Sequence, residues 1–338
     1  MIREAILKLY KKQDLTSEEA SACLHEVLGA TATPAQVGAY LALLAAKGET
    51  LDEVVASVKV MREKMVRIEG GGTEAIDICG TGGDHSGTFN ISTAAALVLA
   101  GGGVPMAKHG NRAATSQCGS AEALQALGVK IDVTNRVLEL CLKEAGICFL
   151  FAPHHHPAMK NVGPYRKEIG IRTLFNIIGP LSNPAGVKRQ VTGVYEDGKA
   201  KLMAEALILA GSERVITYHS SDGLDEVSCD AETRVYEAVA GKPGTSELTI
   251  SPEMFGFGRH PLSELQGGDA VVNARIIEKV LDGEKGARRE VVVMSAALGF
   301  YITGKSETLV QGATLAAESI DQGRARETLE KLRRVSQS

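Results

Sequence analysis

Asp77-Ile78-Cys79-Gly80-Thr81-Gly82-Gly83-Asp84-His85-Ser86-Gly87-Thr88-Phe89-Asn90-Ile91-Ser92-Thr93 is the stretch around which the chain is organised. It is entered through Ala75-Ile76-Asp77-Ile78-Cys79, short and β-branched, which predicts a strand. Four glycines follow within eight residues, then a hydroxyl-rich turn and the apolar run Ala94 to Ala100. Ser92 or Thr93 suits the N-cap of the helix predicted there. Strand, glycine loop and helix start together describe a place where backbone N–H groups face an incoming anion, phosphate above all. The same layout also serves as a mere tight connection. No Gly-Lys-Ser/Thr ends it and the Gly-x-Gly-x-x-Gly spacing is absent, so it is neither a Walker loop nor a dinucleotide fingerprint.

Working outward, 338 residues give room for roughly two domains and a large core. A hydrophobic content of 44% with 23% charged residues is ordinary for a soluble globular chain. The net charge of −4 and the lack of tryptophan argue against nucleic-acid and anionic-membrane binding. Six scattered cysteines form no Cys-x-x-Cys pair, which suits a reduced, cytoplasmic setting. The first eight residues are charged and amphipathic, unlike a secretory signal, and no apolar run is long enough to span a bilayer.

Residues 1 to about 66 read as helices alone. Thr16-Ser17-Glu18-Glu19 forms a capping box, Thr33-Pro34 a cap with proline at the first helical position, and Thr50-Leu51-Asp52-Glu53 a third start. Gly70-Gly71-Gly72 then reads as a linker. From Ala75 onward strands and helices alternate, which predicts an α/β domain with a mostly parallel central sheet. Val104 to Ala107 reads as a strand, as do Cys148 to Phe151, Gln190 to Tyr195 and Arg214 to His219. Residues 152 to 184 read as a polar connection. Lys199 to Ala210, Asp269 to Leu281, Val291 to Tyr301 and Thr308 to Arg334 read as helices.

Ligands of open parallel sheets lie beyond the carboxyl ends of the strands, and four polar loops follow predicted strands here. The glycine loop is one. Lys108-His109-Gly110-Asn111-Arg112-Ala113-Ala114-Thr115-Ser116-Gln117-Cys118-Gly119-Ser120 is the second; its cations, amide and hydroxyls suit a phosphate or a solvated surface loop. The third holds His154-His155-His156 and Arg166. Adjacent histidines rarely converge on one ion, so a structural or substrate-lining role is preferred to zinc. Arg166 could hold a carboxylate in a fork or merely an ion pair on the surface. The fourth, His219 to Val227, carries Asp225-Glu226, which suits Mg²⁺ or is simply exposed charge.

Taken together, these loops resemble the anthranilate phosphoribosyltransferase family. The matching stretches are Gly80-Thr81-Gly82-Gly83-Asp84, Phe89 to Thr93, Lys108-His109-Gly110-Asn111-Arg112, Arg172-Thr173-Leu174-Phe175-Asn176, Gly179-Pro180-Leu181-Ser182-Asn183-Pro184 and Asp222 to Glu226, in family order. Thr115-Ser116 departs from a pair of serines, with the hydroxyl kept. The resemblance implies the fold of the pyrimidine nucleoside phosphorylases. It divides the chain into a small helical domain at 1–69, completed by helices from about 165–185, and an α/β domain at 70–338. It implies a homodimer joined through the helical domain, two Mg²⁺ per site, and phosphoribosyl pyrophosphate and anthranilate as substrates in tryptophan biosynthesis.

Carried over by motif, Gly80, Gly83, Asp84, Thr88, Asn90, Ile91, Ser92 and Thr93 would hold phosphoribosyl pyrophosphate. Lys108, His109, Gly110, Asn111, Arg112, Ala113, Ala114, Thr115, Ser116 and Ser120 would complete that grip, with Lys108 and Asp84 acting in catalysis. Gly80, His109, Asn111 and Arg166 would hold anthranilate, Arg166 facing its carboxylate. Ser92, Asp225 and Glu226 would ligate the metal. The rivals are a phosphorylase using inorganic phosphate and a non-catalytic nucleic-acid binder of the same fold. The acidic pair at 225–226 and the Lys108 loop speak against the first, and the negative net charge against the second.

Overall fold

The structure, a computed structural model, describes residues 1–68, 74–84, 86–113 and 117–338. The expected linker Gly70-Gly71-Gly72, His85, and the site candidates Ala114, Thr115 and Ser116 lie outside the described residues.

The chain opens with four helices, α1 Ile2–Tyr10, α2 Ser17–Leu28, α3 Pro34–Lys47 and α4 Leu51–Lys64. Reciprocal capping boxes start three of them, Thr16 with Glu19, Thr33 with Gln36 and Thr50 with Glu53; the sequence predicts all three starts and the box at Thr16. Seven strands follow: β1 Ile76–Gly80, β2 Met106–Gly110, β3 Ile147–Phe151, β4 Arg189–Gly193, β5 Arg214–Ser220, β6 Thr233–Val239 and β7 Thr245–Ile250. They form one sheet in the order β3-β2-β1-β4-β5-β6-β7. The first five run parallel, while β6 and β7 pair antiparallel at the end. The sheet is therefore mostly parallel, as expected. Its strand order reverses between β1 and β4, the topological switch point at which such sheets open a crevice.

The remaining helices are α5 Ile91–Gly101, α6 Ser120–Ala126, α7 Asn135–Ala145, α8 Ala152–His155, α9 Gly163–Ile169, α10 Leu174–Ile178, α11 Asp197–Leu209, α12 Ala270–Leu281, α13 Ala287–Ile302, α14 Leu309–Asp321 and α15 Arg324–Ser336. One core joins β1 and β2 to α5, α13 and α15; α5 is apolar all round and is buried at Ile91 and from Thr93 to Ala100. A second core joins α1–α4 to α10 and α11, with Val162, Leu174, Phe175 and Leu181 packed among the N-terminal helices. Among the described residues no helix is long and apolar enough to cross a membrane.

Four local expectations are corrected. The strand expected at Val104 to Ala107 is β2, which runs on through Lys108 and His109. Their polarity reads as loop, but each is paired across to β3; the Lys108 ammonium donates to the Ile78 carbonyl and the His109 main-chain amide to Asp77. The connection 152–184 holds α8, α9, α10 and a 3₁₀ turn at Pro157–Asn161. Pro153, Pro157 and Pro164 stand at the first turns of α8, the 3₁₀ turn and α9, where a missing N–H costs nothing, so they start these elements rather than break them. The expected helix Thr308 to Arg334 is two, α14 and α15, because Gly323 adopts φ +73 and turns the chain back. The N-cap of α5 is Asn90, not Ser92 or Thr93. Helix α7 and the strands β6 and β7 had no counterpart in the sequence reading.

Candidate active site

Gly80 ends β1 and pairs in register with Gly193 at the end of β4, so two glycines close the central strands of the sheet. Neither position has room for a side chain. A Cβ on Gly80 would strike the Asp225 carboxylate, and one on Gly193 would strike the Asp225 main chain. The crevice at the switch point is thus filled from the loop after β5.

That loop delivers Asp225 and Glu226, which are 6% and 7% exposed despite being carboxylates. Asp225 Oδ2 accepts from the Gly82 amide at 2.6 Å, fixing the glycine loop. Glu226 Oε1 accepts from the Ser92 amide at 3.1 Å, and Tyr218 donates its hydroxyl to Oε2 at 3.3 Å. Asn90 spends its side chain on Cys118 and Asn273 rather than on capping α5. A first-turn amide of α5 is met instead by Glu226, a carboxylate at the positive end of the helix.

Three acids share this pocket. Burial, then the nearby Asp84 and Glu226, hold the Asp225 carboxyl well above its usual range. Burial raises Glu226 to about 7, against the pull of Lys108 and the Ser92 amide. Such a group is short of positive charge, and hard divalent cations meet that need. Among the described residues no three His, Cys, Asp or Glu side chains surround one common point, so oxygen ligands of other kinds would have to complete a cation site.

Lys108 is 2% exposed and donates from Nζ to the Ile78 carbonyl at 2.7 Å and to Ser92 Oγ at 3.4 Å. Its ammonium lies under the glycine loop and beside the start of α5. Next to it, the His109 amide donates to Asp77 Oδ1 at 3.1 Å, and Asn183 links Asp77 Oδ2 to the Ala107 carbonyl, both at 2.8 Å. Burial lifts Asp77 to about 6. The His109 ring packs 5.1 Å from that of His156; burial and this neighbour hold His109 well below the usual range. His109 Nε2 is buried without a hydrogen-bond partner among the described residues, whereas the His156 ring leans toward the Ser182 backbone. A buried, unpaired ring nitrogen marks a place where a polar ligand is wanted.

The three histidines diverge. His154 faces Asp132 at 3.4 Å, His155 Nδ1 meets the Val66 carbonyl at 2.8 Å, and only His156 turns to His109. Arg166, on α9, carries no ion pair among the described residues. It lies 5.3 Å over the Phe175 ring and donates from Nη2 to Asn176 Oδ1 at 3.3 Å. Burial lowers its basicity.

Other candidates stand in different company. Thr88 bridges to Gln266, and Ile91 and Thr93 turn their side chains into the core. Asn111 is exposed; the Ser120 hydroxyl donates to its carbonyl at 3.3 Å. Arg112 is turned to Glu122 at 3.7 Å and to the Phe151 ring at 5.6 Å, and the Ala113 amide also meets Glu122. The sequence reading gave no role to Gly193, Asp77, Tyr218 or Asn183, and to His156 only the structural or substrate-lining role shared by the three adjacent histidines. A buried acid in a strand and an Asn before Pro184 were the only signals for Asp77 and Asn183.

Residues 3–65 match the model of a glycosyl transferase family helical bundle domain, and residues 72–326 that of a glycosyl transferase family a/b domain. The chain is 47% identical to an anthranilate phosphoribosyltransferase of Xanthobacter autotrophicus, over 96% of this chain and 93% of that one. The crystal structure of the Thermus thermophilus anthranilate phosphoribosyltransferase superposes with a TM-score of 0.90 at 39% identity, covering 99% of both chains. That of Saccharomyces cerevisiae in complex with PRPP and Mg gives 0.89 at 27%, covering 99% and 98%. The same yeast enzyme in complex with 4-fluoroanthranilate gives 0.87 at 26%, with the same coverage.

Proposed function

We propose that this chain, which belongs to the anthranilate phosphoribosyltransferase family of glycosyl transferases, moves the 5-phosphoribosyl group from phosphoribosyl pyrophosphate to the amine of anthranilate, releasing pyrophosphate. The observation that carries this reading is the meeting of Gly82, Ser92, Lys108, Asp225 and Glu226 at the switch point of the sheet. The donor's phosphates would lie on the amides of the glycine loop and the start of α5, with Lys108 beneath them. Gly80, Gly83, Asp84, Thr88, Asn90 to Thr93 and the loop from Lys108 to Ser120 make up this donor site.

Ser92, Asp225 and Glu226 suit Mg²⁺, since the buried carboxyls want positive charge and a hydroxyl stands beside them. Two ions per site is our reading; Mg is bound in the yeast relative. Mg²⁺, when bound, would offset the negative charge that collects on the departing pyrophosphate. The chain's own groups do the rest. Asp84 and Lys108 fix the charge of the donor pocket, and the loop amides present fixed dipoles to the leaving group. Arg166 would take anthranilate's carboxylate, with Asn111 and Gly80 beside it. His109 is held neutral by burial, so it would line the acceptor pocket without opposing the positive charge that builds on the amine nitrogen as it attacks. That amine needs no strong base before it attacks, so positioning dominates the rate. We infer a dissociative, inverting displacement at the ribose C1 with no covalent ribosyl-enzyme; trapping such an adduct would overturn it.

The division of the chain near residue 69, with the region around 165–185 completing the helical unit, is part of the same reading. The packing of Val162, Leu174 and Phe175 among α1–α4 supports it. We also infer a homodimer through the helical domain and a cytoplasmic enzyme. The deciding experiment mixes protein, anthranilate, phosphoribosyl pyrophosphate and Mg²⁺ and follows anthranilate fluorescence. Loss of signal that depends on all components is the expected result; no loss would end the proposal.

A further inference from the structure

Arg172 has no role in the site as assembled above. It lies in the short link between α9 and α10, exposed to solvent. Its Nη2 donates to the Gly83 carbonyl, and its guanidinium lies 3.8 Å over the Tyr195 ring. Tyr195 follows β4, and its amide donates to Thr81 Oγ1 at 3.1 Å. The glycine loop is therefore held at Thr81, at Gly82 by Asp225, and at Gly83 by Arg172. Gly82 and Gly83 sit at φ +71 and φ +81, a backbone free to take many other shapes unless it is tied.

The same short stretch reaches the acceptor side. Asn176 Oδ1 accepts from Arg166 Nη2 and from the Thr173 amide, and the Phe175 ring lies under Arg166. Leu174 and Phe175 are buried, which pins the stretch between its two ends. Five consecutive residues, Arg172 to Asn176, thus touch the loop read as the donor cradle and the arginine read as the acceptor clamp.

We propose that Arg172 is a positioning residue that preorganises the glycine loop through the Gly83 carbonyl and couples it to the placement of Arg166. The proposal rests on the functional reading above. Fixing the loop before the anion arrives removes the cost of ordering its backbone from binding. Planarity matters: a guanidinium can stack on Tyr195 and still donate sideways, which an ammonium cannot do.

The test uses Arg172→Ala, Arg172→Lys, Tyr195→Ala, Arg166→Ala and the Arg166→Ala/Arg172→Ala pair in the full chain. Magnesium pyrophosphate binding, measured by calorimetry without acceptor, is expected to weaken by at least about fivefold in Arg172→Ala. Arg172→Lys is expected not to restore it, and Tyr195→Ala to weaken it likewise. In steady-state assays the double variant is expected to lose less kcat/KM than the product of the two single losses. Pyrophosphate affinity within about twofold of wild type, or losses that multiply to within about twofold, would overturn the coupling. So would a lowered Tm in Arg172→Ala with affinity unchanged. A wild-type chain that leaves anthranilate unconsumed overturns the functional reading instead, and the pyrophosphate titration still decides Arg172's hold on the loop.

Discussion

The amide of Ser92 donates to Glu226 Oε1 at 3.1 Å, across 134 positions of chain. The contact joins the first turn of α5 to the loop after β5. It gives an orphan amide at the positive helix end a carboxylate partner, and it holds that carboxylate beside the Ser92 hydroxyl and Lys108.

Removing both acids tests this corner directly. Asp225→Asn with Glu226→Gln is expected to cut turnover at ordinary Mg²⁺ by at least about a hundredfold, the scale of losing a group that stabilises transition-state charge. Steady-state rates at rising Mg²⁺ measure it, and unchanged turnover would put the metal elsewhere.

Arg166→Ala separates the two substrates. Losing a charge-assisted fork costs about 1.5–3 kcal/mol, so anthranilate KM is expected to rise by about ten- to a hundredfold. The donor KM should move far less. Equal rises for both would take Arg166 out of the acceptor pocket.

Glu226 gives a pH signature. Its carboxyl is raised from 4.5 to about 7 in the folded chain, so the folded state binds more protons than the unfolded between those values. The stability it contributes is complete below pH 4.5 and is lost as pH climbs to about 7. Melting curves in chelator should show this fall, Glu226→Gln should flatten it, and Mg²⁺ added at pH 7 should release protons in calorimetry. A melting profile identical in wild type and Glu226→Gln would refute it.

Two alanine substitutions at paired glycines are expected to differ. Gly193→Ala meets the Asp225 main chain and should cost about 1–3 kcal/mol of stability, read from denaturant melts. Gly80→Ala meets the Asp225 carboxylate first and its main-chain oxygen only at 3.3 Å, so displacing the side chain should weaken Mg²⁺ response more than stability. Identical effects at both positions would contradict the geometry.

Much of this was legible in the chain because its signals are local. Capping boxes at Thr16, Thr33 and Thr50 need only three residues of reach, and β-branched runs before polar loops marked most strands. Lys108 and His109 misled because polarity usually means exposure. Here the Ile78 carbonyl, from a neighbouring strand, takes the Lys108 ammonium, and burial keeps the His109 imidazole from taking up a proton. Asn90 took the cap position from Ser92 for a similar reason, since its side chain is engaged by Asn273, far along the chain.

The amino-acid sequence by itself determined where the helices of the N-terminal unit begin, that a mostly parallel sheet follows, and which polar loops stand at strand ends. Hydrophobic period and turn chemistry act within a few residues and need no partner. Only the tertiary structure decided that Asp225 fills the space left by Gly80 and Gly193, that His156 rather than His154 joins His109, and that Arg172 reaches Gly83. Those contacts are set by strand order and by the burial of charge, which belong to the folded whole.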